Sequence, residues 1–219
     1  MLFSLQKKWR AKRQLARDPC TEDDIDMDQA FLDIIYQVER CKEPLSAYAV
    51  GDALYGLQGM SSDDADVRSL VRVLAGQLER CRDSFSSDVV SNALYGLQCM
   101  RSDNADMRSL VRVLVIQLKR CKEPLCSQAV GDALFGMQGM SSDNVDVRAL
   151  LRVLAGQVDR CKGPLDAQAV GNALYGLQGM SSDDADVQSV LRVLAGQVEG
   201  ARSHLMRRLW AMRCTACRA

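Results

Sequence analysis

The stretch Ala49-Val50-Gly51-Asp52-Ala53-Leu54-Tyr55-Gly56-Leu57-Gln58-Gly59-Met60 decides the fold, because it does not occur once. It returns 40 residues later as Val89 to Met100, again as Ala129 to Met140, and again as Ala169 to Met180. Self-similarity at a fixed period of this size marks a repeat architecture, in which each unit buries its apolar face only against its neighbours. Within the copy, Ala49, Val50, Ala53, Leu54, Leu57 and Met60 follow the i, i+3, i+4, i+7 spacing of an amphipathic helix, here called helix A. After Ser61-Ser62-Asp63-Asp64, a second segment, helix B, places Val67, Leu70, Val71, Leu74, Leu78 and Cys81 on one face in the same way.

The segments between the helices supply the punctuation that helices need. The Ser-Ser-Asp-Asp/Asn linker offers side-chain oxygens to the unpaired N–H groups of helix B. Asp66, Asp106, Asp146 and Asp186 fall in its first turn, where the helix dipole favours a carboxylate. Pro44, Pro124 and Pro164 precede helix A, where a missing N–H costs little, and Ser84 takes that place in one copy. Gly51, Gly56 and Gly59 fall within the helix A pattern, at a cost of about 1 kcal/mol each relative to Ala. Gly56 recurs as Gly96, Gly136 and Gly176, which predicts close backbone approach to the helix of the next repeat, or room left for a ligand. No strand alternation occurs.

These patterns predict an all-α fold, an α-solenoid built as a right-handed superhelix of antiparallel helix pairs with 40-residue repeats. The expected organisation is a basic segment at 1–25, an N-terminal half-repeat at 26–45 acting as a capping helix, and four helix pairs over 46–203. The pairs fall at 46–85, 86–125, 126–165 and 166–203, and a basic cap or tail occupies 204–219.

Composition narrows the function. Apolar residues at 47% and charged residues at 26% describe a chain able to bury a core. No window resembles a membrane span. The 28 basic and 28 acidic residues cancel, so no general positive field draws in nucleic acid. Charge is uneven, however: Lys7 to Arg17 and the chain after Glu199 are basic without acids, and Glu22 to Asp28 is acidic. Of the nine cysteines, Cys41, Cys81, Cys121 and Cys161 recur at the repeat interval, which places them in the core of each unit and implies a reducing compartment.

No catalytic constellation is legible, and the expected class is non-enzymatic. His204 stands alone beside Ser203, and Cys214-Thr215-Ala216-Cys217 has no second CxxC to complete a metal site. Asp63, Asp64 and Asp66 lack the Gly-centred loop of a calcium site. No cofactor, metal or small-molecule substrate is expected. What remains is surface. Opposite the apolar stripe of helix A lie Tyr48, Asp52 and Tyr55, then Asn92 and Tyr95, then Asp132 and Phe135, then Asn172 and Tyr175. This aromatic ladder beside an Asp/Asn ladder could stack on and read unpaired bases, or the rings could pack between adjacent helices. Helix B adds Arg68, Arg72, Arg108, Arg112, Arg148, Arg152 and Arg192, which could hold phosphates or pair with acids of neighbouring repeats.

Asn172-Ala173-Leu174-Tyr175-Gly176-Leu177-Gln178 and its copies from Asp52, Asn92 and Asp132 resemble the Asn-x-Leu-Trp-Ala-Leu-Ala core of octotricopeptide repeats. That family, with the related heptatricopeptide repeats, forms helical-pair solenoids in algal and protist organellar proteins that act in RNA processing, stability or translation. The resemblance implies single-stranded RNA as the partner. The residues alone leave a protein scaffold, taking a peptide or helix in its groove, as the alternative. Here Tyr or Phe stands at the family's Trp, Gly at its Ala, and the period is slightly longer. Met1 to Arg17, rich in Lys/Arg with Leu2, Phe3, Leu5, Trp9 and Leu15, resembles a mitochondrial or plastid transit segment, and a basic surface helix would read the same way.

Overall fold

A computed structural model describes residues 27–161 and 163–198. The readings of the N-terminal basic segment, of His204 and of the C-terminal cap and CxxC lie outside the described residues. Regular structure among the described residues is entirely α-helical, in nine helices. They are α1 (Met27–Glu39), α2 (Ala47–Tyr55), α3 (Ala65–Arg80), α4 (Ser87–Tyr95), α5 (Ala105–Lys119), α6 (Ser127–Phe135), α7 (Val145–Asp159), α8 (Ala167–Leu177) and α9 (185–198). No helix among them is long and apolar enough to cross a membrane.

Short and long helices alternate, and like packs on like. The short helices form the row α2–α4–α6–α8, and the long helices α1–α3–α5–α7 form a second row beside it. Contact along each row outweighs contact within a pair. The core lies between the rows: Leu54, Leu57, Met60, Leu70, Leu74 and Leu78 of the first pair are all fully buried, as are Leu94, Leu97, Met100 and Leu110 of the next.

The caps follow the linker chemistry. Asp64 accepts from the N–H groups of Asp66 and Val67, Asn104 from Met107, Asn144 from Asp146, and Asp184 from Asp186 and Val187. Short helices start on Ser46, Ser86 and Asp166, while Cys126 holds the equivalent place without a side-chain cap. In the interhelical turns, buried Ser62, Ser102 and Ser142 accept from the backbone N–H of Arg101, Ser141 and Ser181, tying each turn to the next.

Helix A differs from its expected extent. The periodicity reaches Met60, yet α2, α4 and α6 end at Tyr55, Tyr95 and Phe135, and only α8 continues to Leu177. Beyond Tyr55 the chain tightens: Leu57 N–H donates to the Leu54 carbonyl and Met60 N–H to the Leu57 carbonyl, with Gly59 at φ 80°. Bonds of this i→i+3 kind satisfy end carbonyls and keep Leu57 and Met60 facing the core without further α-helix.

The recurring glycine explains the close stacking of short helices. A Cβ on Gly96 would lie 2.0 Å from the Leu54 carbonyl oxygen, on Gly136 1.9 Å from that of Leu94, and on Gly176 1.9 Å from that of Leu134. Each of these distances lies far inside van der Waals contact, so only hydrogen fits, and the Cα–H aims at the carbonyl as a weak hydrogen bond. Close approach is therefore the reason for this glycine.

Gly136→Ala should lower stability by about 2 kcal/mol, because backbone must move to admit the methyl group. Gly156→Ala, where an added Cβ meets nothing within 4 Å, should raise it by roughly 0.5–1 kcal/mol. Urea unfolding of the two variants beside the parent checks both signs.

Candidate functional site

The four short helices carry no Lys, Arg or His, so the surface of their row is set by aromatics, amides and carboxylates. Tyr55, Tyr95, Phe135 and Tyr175 are brought together into one continuous stack. Their ring centroids lie 5.9, 5.3 and 5.4 Å apart with interplanar angles of 20°, 17° and 17°. These are favourable offset-stacked geometries. A base inserted between two rings needs roughly 7 Å, twice the roughly 3.4 Å rise per stacked nucleotide. The column is closed to insertion along its length. Tyr175 at its end is 49% exposed, and Tyr48, about two turns before Tyr55 in the first copy, stands apart at 62%.

The Asp/Asn ladder is likewise turned upon itself. Asn92 Nδ2 donates to Asp52 Oδ1 at 3.3 Å, Asn172 Nδ2 to Asp132 Oδ1 at 3.5 Å, and Ser91 Oγ to the other oxygen of Asp132 at 2.9 Å. Alternation of Asp and Asn lets each amide serve the carboxylate of the preceding repeat. Beyond it, Gln138 Nε2 donates to Gln98 Oε1 at 3.4 Å, a second amide contact across repeats. With Asp52, Asp88 and Asp132 on it and no basic residue, the face is acidic.

The helix B arginines are largely committed to the protein. Arg72 grips Asp106 with two bonds of 2.9 and 3.2 Å, and Arg112 grips Asp146 with 3.2 and 3.0 Å. Arg152 reaches Asp186 at 3.1 Å. The Asp side chains are mostly covered (19%, 13% and 20% exposed), while the guanidiniums face solvent. Arg68 donates to the Ser62 and Asp63 carbonyls, and Arg148 to that of Ser142. Gln188, which replaces this arginine in the last copy, makes the same bond to Ser182. Arg108 and Arg192 are exposed and have no partner among the described residues.

Sequence reading missed a second polar row. Gln77, Gln117 and Gln157 are buried on the otherwise apolar stripe of helix B. Their Nε2 groups donate to the carbonyls of Val38, of Leu78 and Cys81, and of Leu118, while partly buried Gln197 donates to Val158. They satisfy orphan carbonyls at the end of each preceding long helix. The signal was available: an unvarying Gln among Leu and Val at the repeat interval. Arg80 and Arg120 serve the same purpose, donating to the Cys41 carbonyl and to those of Cys81 and Arg82.

The repeat cysteines divide. Cys81 and Cys121 are buried, as core residues should be, whereas Cys41 and Cys161 are only partly covered. Burial pushes the Cys121 thiol up. Among the described residues no group of three or more His, Cys, Asp or Glu is placed to hold a metal ion.

No known family model matches this chain, and neither a curated protein nor a solved structure matches it.

Among the cysteines of the described residues, alkylation of the folded protein at neutral pH should modify exposed Cys99 and Cys126 first and leave Cys81 and Cys121 protected until unfolding, because attack needs an accessible thiolate. Peptide mapping by mass spectrometry over a time course checks the order.

Proposed function

We propose that the chain is a non-enzymatic protein-interaction scaffold, an α-solenoid whose short-helix face takes a basic peptide or helix. The observation that carries this reading is the pairing of an acidic, aromatic-lined short-helix face with an arginine row already held by Asp106, Asp146 and Asp186. A cationic segment finds there carboxylates that attract it and ring edges and faces against which Lys or Arg stems pack. Short helices meet backbone to backbone at the glycines, while long helices are spanned by side chains. Stacked units of that kind bend toward the short-helix row, in the sense of a superhelical groove lined by it.

Single-stranded RNA, implied by the resemblance to octotricopeptide repeats, is less well served. Its phosphates meet Asp52, Asp88 and Asp132 on one face and must displace bidentate carboxylates on the other. Its bases find the aromatic column closed except at Tyr175.

Selection of short displayed peptides on the full chain should enrich sequences carrying Lys or Arg beside apolar residues. Replacing Asp52, Asp88 and Asp132 together by Asn should weaken the selected peptides about tenfold, or about 1.4 kcal/mol. Labelled single-stranded RNA should stay unbound at low salt. RNA binding that falls with Tyr95→Ala and Tyr175→Ala would overturn the scaffold reading.

A further inference from the structure

The loop before each short helix runs beside the turn that ends the long helix of the same pair, at an offset of 36 residues. Ala47 N–H donates to Asp83 and Ser84 Oγ to the Arg120 carbonyl at that offset, and the Phe85 backbone reaches the Cys121 thiol. In the third pair the same offset sets Leu125 beside Cys161, with Cys126 next in the chain.

This third pairing departs from its sisters in several ways at once. Gln77 and Gln117 offer their amide oxygens to the Leu45 N–H and to Arg120, whereas buried Gln157 Oε1 accepts no hydrogen bond among the described residues. Arg80 and Arg120 reach carbonyls of the preceding turn, whereas Arg160 bends back to the Gly156 carbonyl of its own helix at 3.3 Å. Gly163, at φ 97°, stands where the sister turns have Asp83 and Glu123. Cys161 is partly exposed where Cys81 and Cys121 are buried. Opposite it, Cys126 holds the place at which Ser46, Ser86 and Asp166 cap their helices, and it makes no cap. Its exposed sulfur accepts instead from Ser87 Oγ at 3.4 Å.

A less tightly held turn, carrying a half-covered thiol, therefore faces an exposed thiol released from capping. We propose that Cys126 and Cys161 form a dithiol pair that a peroxide converts reversibly into a disulfide. Burial pushes the Cys161 thiol up, and the charge of a neighbouring Cys126 thiolate acts in the same direction. Cys161 is thus the poorer thiolate, and Cys126 attacks first. The Cys126 thiolate takes one oxygen of hydrogen peroxide, becoming a sulfenic acid as hydroxide leaves. Cys161 sulfur then attacks the sulfenic sulfur: the S–S bond forms, the S–O bond breaks, and the departing hydroxide carries off the Cys161 proton as water. Two thiols and one peroxide give one disulfide and two waters. The bond joins the start of α6 to the end of α7, closing the third helix pair on itself, and it constrains the unfolded chain so that the oxidised form unfolds at higher urea.

The pair is independent of what the short-helix face binds. Full chain treated with hydrogen peroxide, then digested without reductant, should yield the peptides of Cys126 and Cys161 joined, and dithiothreitol should separate them. Cys126→Ser restores the sister cap and should abolish the cross-link. Cys161→Ser should also abolish it and leave Cys126 as a sulfenic acid that dimedone traps, which the parent passes through only briefly. Both variants should keep the parent's helical far-UV signal. No intramolecular cross-link under peroxide would overturn the proposal. So would Cys126 joined to Cys20, Cys99, Cys214 or Cys217 instead, or a Cys126 sulfenic acid that persists in the parent as it does in Cys161→Ser.

Discussion

Everything else in this molecule is arranged around the contact between one glycine and one carbonyl oxygen. Gly96, Gly136 and Gly176 each sit against the carbonyl of a leucine in the preceding short helix, closer than any side chain allows. Such a contact fixes spacing and orientation together, because backbone cannot repack as a side chain can. Once the short helices are locked at that distance, the rest of each repeat must return in the same place. The turn serines bond the next turn, the glutamines bond the previous long helix, and the arginines clasp the next. An inserted or deleted residue would break all of these at once, which is a physical reason for a period that never slips.

The alternation of two helices per repeat was legible because apolar spacing is all it requires. The caps were legible because Asp64 and Asn104 precede the second helix at the right position. The early end of the first helix was not. Ala53, Leu54, Leu57 and Met60 keep helical spacing, and a tightened turn presents Leu57 and Met60 to the core nearly as a helix would. Tertiary approach at Gly96 decides the matter, and a single repeat read alone does not contain it. The buried glutamines were legible in principle but hidden by their surroundings, since a polar residue on an apolar stripe is informative only when its recurrence is weighed.

The surface candidates show a different limit. Tyr95, Asn92 and Arg112 each have the chemistry to hold a nucleotide, and composition cannot reveal that the same groups are one repeat away from partners of their own. Stacking joins the rings, amides join the carboxylates, and guanidiniums join acids 34 residues onward. In a repeat protein any side chain able to bind its own kind, or its complement, meets it at every junction. Ladders of functional-looking residues are thus the expected outcome of stacking, and a partner must be sought in what stacking leaves unsatisfied.

On the short-helix face it leaves negative charge, and beside the aromatic column that charge is spaced by two repeats. Along the short helices the position beside the aromatic column reads Asp52, Asn92, Asp132, Asn172. With rings 5.3–5.9 Å apart at the neighbouring position, a carboxylate in every repeat would place like charges side by side, an arrangement that penalises ionisation. Asn in alternate copies removes the repulsion and supplies a donor to the acid before it. The repeats are nearly identical in shape yet form pairs in electrostatics. A cationic partner lying along this face therefore meets Asp52 and Asp132 two repeats apart beside the rings and Asp88 nearer the start of the helix between them, so the positions of its charges must match and not their number alone. Spacing of that kind discriminates among basic segments in a way that net charge alone does not.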